Sequence, residues 1–196
     1  MTTAWTQAEQ GRLWHLARDT VAHGCAYGRL LPVDLEDWPD ALRQPRATFV
    51  TLKKHHALRG CIGTLEASRP LVADIAHNAF AAAFHDPRFP PVQPDEIPDL
   101  DVSISVLAPP LPLTARNEEE VLRQLRPGVD GLILEAPCGR ATFLPAVWEE
   151  CPEPRRFLRH LKQKAGWPGG HWPDNARAWR YTVDRITRPT PLPDAG

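Results

Sequence analysis

The sequence predicts an α+β fold in which helices pack against antiparallel sheets. Residues 100–106 alternate between apolar and polar side chains, which indicates a strand with one buried face. Residues 47–65 contain two β-rich stretches separated by His55 and His56, which indicates a hairpin. The second half of the chain shows the same order of hairpin, helix and strand. We therefore expect two related hairpin–helix–strand repeats.

The first predicted element is a helix that begins after Thr6. Thr6 and Glu9 form a capping-box pattern, and apolar residues then recur at helical spacing as far as Val21. Gly24 is predicted to end this helix, because glycine is the usual residue after a helix terminus. Residues 31–44 contain two prolines and several acidic residues, so we expect mostly loop there.

The remaining elements follow from similar patterns. Pro70 suits the first turn of a second helix, whose apolar face continues to Ala82, and a proline-rich turn leads to the strand at 100–106. The second half is predicted to contain a short helix from Asn117, strands at 131–136 and 141–144, a helix that ends near Gly166 and a closing strand at 179–183.

Length and composition indicate a single globular domain. The chain has 196 residues, 42% of them hydrophobic, and a formal net charge of -1, so we expect no general attraction to nucleic acid or to an anionic membrane. No stretch approaches the roughly 20 apolar residues of a membrane span, and no secretory signal is visible. We expect a cytoplasmic domain at 1–187, with sublobes at about 1–110 and 111–187, and a flexible tail at 188–196.

The four cysteines are expected to be free thiols. Cys25, Cys61, Cys138 and Cys151 form no CxxC pair and no zinc-ribbon spacing, so we predict neither a metal site nor a disulfide framework.

Two segments resemble the signature of the AMMECR domain family, which is also called AmmeMemoRadiSam system protein A. They are Phe49-Val-Thr-Leu-Lys-Lys54 and Leu58-Arg-Gly-Cys-Ile-Gly63, the second of which we call the LRGCIG motif. The likeness continues through Asp86-Pro-Arg-Phe-Pro-Pro91 and, in the family's order, through most of the chain between Ala47 and Val183.

The resemblance implies an α+β fold with two related repeats, in agreement with the elements predicted above. It also implies a genomic setting beside a MEMO-type protein and a radical SAM protein, which makes these two proteins the expected partners. It implies no reaction and no cofactor. Whether the protein is an enzyme, and its oligomeric state, therefore stay open.

The LRGCIG motif is the first candidate site. Gly60 and Gly63 let the backbone approach a ligand or another strand closely, and Cys61 is a candidate nucleophile or redox thiol. Arg59 lies two residues before Cys61, so on a regular strand its side chain shares a face with the thiol and suits a small anionic ligand. Alternatively, Cys61 is a small core residue and the glycines serve strand packing.

Asp86 and Arg88 form the second candidate site, because prolines hold this turn in one conformation. Arg88 is expected either to bind an anion near Arg59 or to have a structural role with Asp86. A Cys-His-Asp arrangement of Cys61, Asp74 and either His77 or His85 is a further alternative.

Three functions therefore stay open. The chain is a binding or accessory subunit that works with MEMO-type and radical SAM partners through the Leu58–Gly63 groove. Alternatively, it is a cysteine-dependent enzyme that acts on a small substrate through Cys61. The third alternative is a nucleotide-binding or RNA-binding module, although no basic stripe interleaved with aromatic residues supports it.

Overall fold

The computed structural model describes residues 5–167 and 172–189, so the predicted tail lies outside the described residues from residue 190 onward. The helices are α1 (Gln7–Tyr27), α2 (Asp40–Arg43), α3 (Leu71–Phe84), α4 (Glu118–Gln124) and α5 (Pro154–Lys164). The strands are β1 (Thr48–Lys54), β2 (Ala57–Gly63), β3 (Leu100–Leu107), β4 (Leu111–Leu113), β5 (Gly131–Ala136), β6 (Gly139–Phe143), β7 (Arg177–Tyr181) and β8 (Val183–Ile186).

The chain divides into two compact units. Unit 1 comprises Met1–Val106 and Asp184–Gly196, and unit 2 comprises Leu107–Val183. The first sheet has the strand order β2-β1-β3-β8, and the second has the order β4-β7-β5-β6. The pairings of β1 with β2 and β3, and of β5 with β6 and β7, are all antiparallel. The predicted α+β class with antiparallel sheets is therefore confirmed.

Helix α1 begins as predicted and ends one turn later than predicted. The Thr6 side chain accepts a hydrogen bond from the Glu9 backbone, and the Glu9 carboxylate accepts one from the Thr6 backbone. Gly28, with a φ of +66°, ends the helix. Gly24 lies inside the helix and does not end it. A Cβ at this position would stand 2.2 Å from the Phe84 ring, so the glycine allows α1 and α3 to pack closely.

The first hairpin turns at the two histidines, as the sequence predicts. His55 and His56 have φ values of 50° and 67°, and the Lys54–Ala57 pair closes a two-residue loop between β1 and β2. The register shifts near this turn, because Leu52 pairs with Gly60 and Lys53 with Leu58, which leaves Arg59 as the extra residue of a bulge in β2. The regular strand predicted from Arg59 to Cys61 is therefore interrupted. The segment predicted as loop at 31–44 differs in detail, since it contains a 3-10 turn at Leu35–Asp37 and the short helix α2.

Helix α3 is the central helix of unit 1, since it is apolar on nearly every side. Its only polar side chains are those of Asp74, His77 and Asn78. It packs against α1 and against the β1–β2 hairpin, and these elements share one hydrophobic core. A helix that is apolar all round has to be covered all round, which accounts for its central position.

Unit 2 has its own core, beneath the second sheet. Helix α5 buries Phe157, Leu158 and Leu161, and the Phe157 ring stacks on that of Trp148 at a centroid distance of 3.8 Å. The closing strand predicted at 179–183 is divided in the structure, because β7 belongs to the second sheet and β8 to the first.

The two repeats follow one plan. The β1–β2 hairpin, α3 and β3 correspond in order to the β5–β6 hairpin, α5 and β7. Each closing strand is followed by a short strand that joins the sheet of the other repeat, since β4 lies beside β7 and β8 lies beside β3. Each sheet is thus completed by a strand that follows the other repeat in sequence.

Candidate functional site

The glycines of the LRGCIG motif lie where a side chain would collide with the chain. A Cβ on Gly60 would stand 2.1 Å from the carbonyl oxygen of Ala82, in the last turn of α3. A Cβ on Gly63 would stand 2.2 Å from the ring of Phe49. Gly60 therefore lets the edge strand β2 lie directly on the backbone of α3, and both glycines have a packing role.

Arg59 makes its contacts with the chain itself. Its Nη2 and Nε atoms lie 2.8 and 3.0 Å from the two carboxylate oxygens of Glu96, and its Nη1 donates to the carbonyl of Pro90 at 2.9 Å. Lys54 also reaches Glu96, at 3.1 Å. The hydrogen bonds from Arg59 lower the pKa of Glu96 to about 2. Arg59 thus fastens β2 to the segment that follows α3.

Asp86 and Arg88 bind the outer edge of β2 at Cys61. The buried Asp86 carboxylate accepts a hydrogen bond from the Cys61 backbone at 2.8 Å. Arg88 donates to the same carboxylate through Nε and Nη2, at 2.9 and 2.7 Å, and its Nη2 also donates to the Cys61 carbonyl at 3.2 Å. The Arg88 guanidinium holds the pKa of Asp86 well below its usual range.

We call Arg59, Asp86, Arg88 and Glu96 the edge clamp. An edge strand presents unpaired backbone groups that invite pairing with other strands, and native proteins cover them. The clamp satisfies both the N–H and the C=O of Cys61 and holds the proline-rich segment against β2. The four charged side chains of the edge clamp therefore cover and hold the edge strand β2.

Unit 2 covers its own edge strand, β6, in a comparable way. Lys164 donates to the carbonyl of Thr142, and the Trp167 indole donates to the carbonyl of Gly139, each at 3.1 Å. Both donors lie at or just after the end of α5, as Asp86 and Arg88 lie just after the end of α3. Edge protection is thus a feature of both repeats.

The Cys61 thiol is half-buried and lies 3.2 Å from the Thr51 hydroxyl, its only hydrogen-bond partner among the described residues. Cys61 pairs with Thr51 across β2 and β1, and Thr51 pairs with Ser103 across β1 and β3, so the three residues form one row across the sheet. Of the predicted site residues, Asp86 and Arg88 contact the backbone of Cys61. The Arg59 side chain is instead bound to Glu96.

The Cys-His-Asp alternative does not form. Asp74 is fully buried and accepts hydrogen bonds from the backbone and side chain of Thr48, at 2.9 and 2.8 Å, and from Asn78, at 2.9 Å. Its remaining donors are Thr64 and Arg69. His77 and His85 are both exposed. Asp74 therefore joins β1 to α3 and is no partner for a catalytic histidine.

Two other properties bear on function. Within residues 5–167 and 172–189, no three His, Cys, Asp or Glu side chains lie close enough together to hold a metal ion. In the same part of the chain, no helix is both long enough and apolar enough to cross a membrane.

Glu96→Gln tests the clamp through the pH dependence of stability. The pKa of Glu96 is lowered to about 2 in the folded state. The ionised carboxylate therefore stabilises the fold fully at pH values above the pKa of an unfolded glutamate, and this stabilisation is lost as the pH falls toward 2. At pH 7 we expect the variant to lose up to about 3 kcal/mol of unfolding free energy, measured by urea denaturation.

The difference between wild type and Glu96→Gln should narrow steadily between pH 5 and pH 2. Glu36→Gln is the matched control, since Glu36 is exposed and its side chain has no partner among the described residues. A difference that stays constant over this pH range would contradict an ionic role for Glu96.

Comparison with known proteins places the chain among uncharacterised relatives. A family model described as AMMECR1 matches residues 14–186. A protein of Methanothermobacter thermautotrophicus is 43% identical over 148 residues, which cover 74% of this chain and 77% of that protein. A protein of Thermotoga maritima is 41% identical over 162 residues, which cover 81% of this chain and 87% of that protein.

A solved structure shows the same fold. The crystal structure of an uncharacterized protein from Pyrococcus horikoshii is similar to this chain with a TM-score of 0.83 and 34% sequence identity. The match covers 90% of each chain. These findings confirm the resemblance drawn from the LRGCIG motif.

Proposed function

The chain belongs to the AMMECR1 family, and on that premise we propose that it is a binding or accessory subunit for MEMO-type and radical SAM partners. The partners would contact the surface around Leu58–Gly63. The supporting observation is that the charged side chains of this region are committed to contacts within the chain. Such contacts build a rigid surface rather than a reactive centre.

The surroundings of Cys61 favour binding over cysteine catalysis. A nucleophilic thiol needs a base, and the hydrogen-bond partner of this thiol is the Thr51 hydroxyl, which is a poor base at neutral pH. The nearby Asp86 carboxylate binds the Cys61 backbone, and its lowered pKa makes it a weak proton acceptor. The cysteine-enzyme alternative thus receives less support than the binding role.

Two side chains of this surface are accessible to a partner. Leu58 is 40% exposed on the edge strand β2, and the Arg88 side chain is 53% exposed. The Nη1 atom of Arg88 has no hydrogen-bond partner among the described residues, so it can donate to a carbonyl or other oxygen acceptor of a partner. Arginine is enriched at protein interfaces, and an exposed leucine adds apolar surface that a partner can bury.

A nucleotide or RNA ligand receives less support. Arg59 is held by Glu96, and Asp86 places a negative charge beside Arg88. Phosphate recognition would need these arginines to be free of carboxylates. Arg88 alone, neutralised by Asp86, offers little attraction to a polyanion.

Leu58→Ala tests the binding role, with the purified MEMO-type and radical SAM proteins from the same genome as probes. Isothermal titration calorimetry should detect binding of at least one of them to the wild type. We expect the variant to bind about tenfold more weakly, because burial of a leucine side chain against a partner contributes about 1.5 kcal/mol or more.

Two further variants separate the alternatives. Leu111→Ala should leave binding unchanged, because Leu111 is also an exposed leucine on an edge strand but lies in the second sheet. Cys61→Ser should also bind normally, since serine can keep the hydrogen bond to Thr51. Binding of neither protein to the wild type would overturn the proposal. If Cys61→Ser loses binding while Leu58→Ala and Leu111→Ala keep it, the cysteine-enzyme alternative would be favoured.

A further inference from the structure

The segment that follows α1 exposes an unusual amount of apolar surface. Five large apolar side chains are exposed in the described part of the chain, and three of them fall between residues 27 and 35. Tyr27 is 68% exposed, Leu30 39% and Leu35 36%. Single exposed apolar residues are ordinary, but several within so short a segment indicate an interaction surface.

A groove of about 260 Å³ lies between this segment and α3. It is lined by Leu30, Leu31, Pro32, Val33, Ala73 and Ala76, so every lining side chain is aliphatic. The volume is below the range of about 300–1,000 Å³ that is typical of cofactor and ligand pockets. Ala73 and Ala76 are small, so a side chain entering the groove can approach the backbone of α3. The groove therefore suits an apolar side chain of another protein better than a small molecule.

Negative charge surrounds this apolar segment. Asp34, Glu36 and Asp37 directly follow the groove residues and are exposed. Two cations lie at this segment, Arg29 within it and Arg12, whose guanidinium donates to the Asp37 backbone carbonyl at 2.8 Å. The carboxylates of Glu36 and Asp37 have no partner among the described residues, so three acidic side chains outnumber the two arginines. A net negative charge beside an apolar groove favours a partner that carries positive charge next to its apolar anchor.

We infer that residues 27–37, together with Ala73 and Ala76 of α3, bind a basic amphipathic segment of a partner protein. The partner places a leucine-like side chain in the groove and lysines or arginines against Glu36 and Asp37. This surface uses no residue of the edge clamp, so it goes beyond the function proposed above. It gives unit 1 a second docking surface that differs chemically from the surface around Leu58.

Synthetic peptides serve as probes for this surface. One peptide of about 18 residues carries leucines at helical spacing with lysines between them. A second replaces the lysines with glutamates, and a third replaces the leucines with serines. We expect fluorescence anisotropy to show binding of the leucine–lysine peptide at least tenfold tighter than that of either other peptide. Its affinity should also fall as salt is raised.

Variants of the full chain locate the binding. Leu30→Ser should lower the affinity for the leucine–lysine peptide at least tenfold. The double variant Glu36→Lys with Asp37→Lys should lower it by at least the same factor. Leu111→Ser is the matched control, because Leu111 is 55% exposed and lies outside the groove. The substituted side chains are all exposed, so circular dichroism should show folded proteins throughout.

Three outcomes would overturn the inference. In the first outcome, the leucine–lysine peptide binds Leu30→Ser as tightly as it binds the wild type. In the second, the serine–lysine peptide binds the wild type as tightly as the leucine–lysine peptide does, so charge alone would account for binding. In the third outcome, sedimentation of the wild type shows a dimer that Leu30→Ser abolishes. The groove would then hold a second copy of this chain.

Discussion

Replacing Gly60 with alanine is expected to destabilise the protein by at least about 3 kcal/mol. The new methyl group would stand 2.1 Å from the carbonyl oxygen of Ala82, and a backbone atom inside a packed helix cannot rotate away. Strand β2 would have to separate from α3, which breaks packing in the core of unit 1. Urea denaturation followed by circular dichroism measures the loss, and soluble yield reports it if the variant fails to fold.

Gly11→Ala is the control for the Gly60 experiment. Gly11 lies inside α1, and a Cβ there would only meet Pro189 at 4.0 Å, an ordinary contact. Alanine in a helix interior is favoured over glycine by about 0.5–1 kcal/mol, so this variant should gain stability. If Gly60→Ala stays within about 1 kcal/mol of the wild type, close packing does not explain the glycine of the motif.

The second repeat offers an independent check of the same argument. A Cβ on Gly139 would stand 2.0 Å from the carbonyl oxygen of Ala165, and its φ of +156° is one that other residues rarely adopt. We expect Gly139→Ala to be as destabilising as Gly60→Ala. The edge strand of each hairpin thus rests on a backbone carbonyl at or just after the end of the following helix.

Asp74→Asn is expected to cost about 3–5 kcal/mol. The buried carboxylate accepts from the backbone and hydroxyl of Thr48, from Thr64, from Asn78 and from Arg69. An asparagine side chain has one oxygen and an NH₂ group, so it would direct N–H donors at groups that are themselves donors. Urea denaturation at pH 7 measures the change.

Asp40→Asn is the control for the Asp74 experiment. The Asp40 side chain is 86% exposed and, within the described part of the chain, pairs only with Arg43, so its replacement should change stability by less than about 0.5 kcal/mol. Equal stability of Asp74→Asn and wild type would show that the carboxylate charge is not needed to join β1 to α3.

Local sequence patterns predict much of this fold, because they depend on neighbouring residues. The alternation from Leu100 onward marks β3, and the two histidines mark the turn between β1 and β2. The end of α1 could not be predicted in this way. Gly24 is needed because the Phe84 ring occupies the space beside it, and Phe84 is 60 residues away in the sequence. Such a contact leaves no local pattern.

The candidate site also combines residues that local sequence identifies with contacts between residues far apart in the sequence. The LRGCIG motif and the proline-rich turn identify Arg59, Cys61, Asp86 and Arg88, but the contacts of these residues depend on segments that come together only on folding. Glu96, which holds Arg59, lies in a 3-10 segment of no helical or strand periodicity. Asp74 left one signal that sequence reasoning missed. A carboxylate in an otherwise apolar helix has to be buried with several donors, and Thr48 and Thr64 supply them.

The reciprocal placement of β4 and β8 also constrains how the protein is made. On the ribosome, β1, β2 and β3 are synthesised first, whereas β8, the strand beside β3 in the finished sheet, comes only after the whole of Leu107–Val183. The nascent chain therefore carries an open strand edge from the completion of β3 until β8 is synthesised. A product terminated before residue 183 would keep that edge and be prone to aggregate, so the edge of β3 is protected only once β8 has been synthesised.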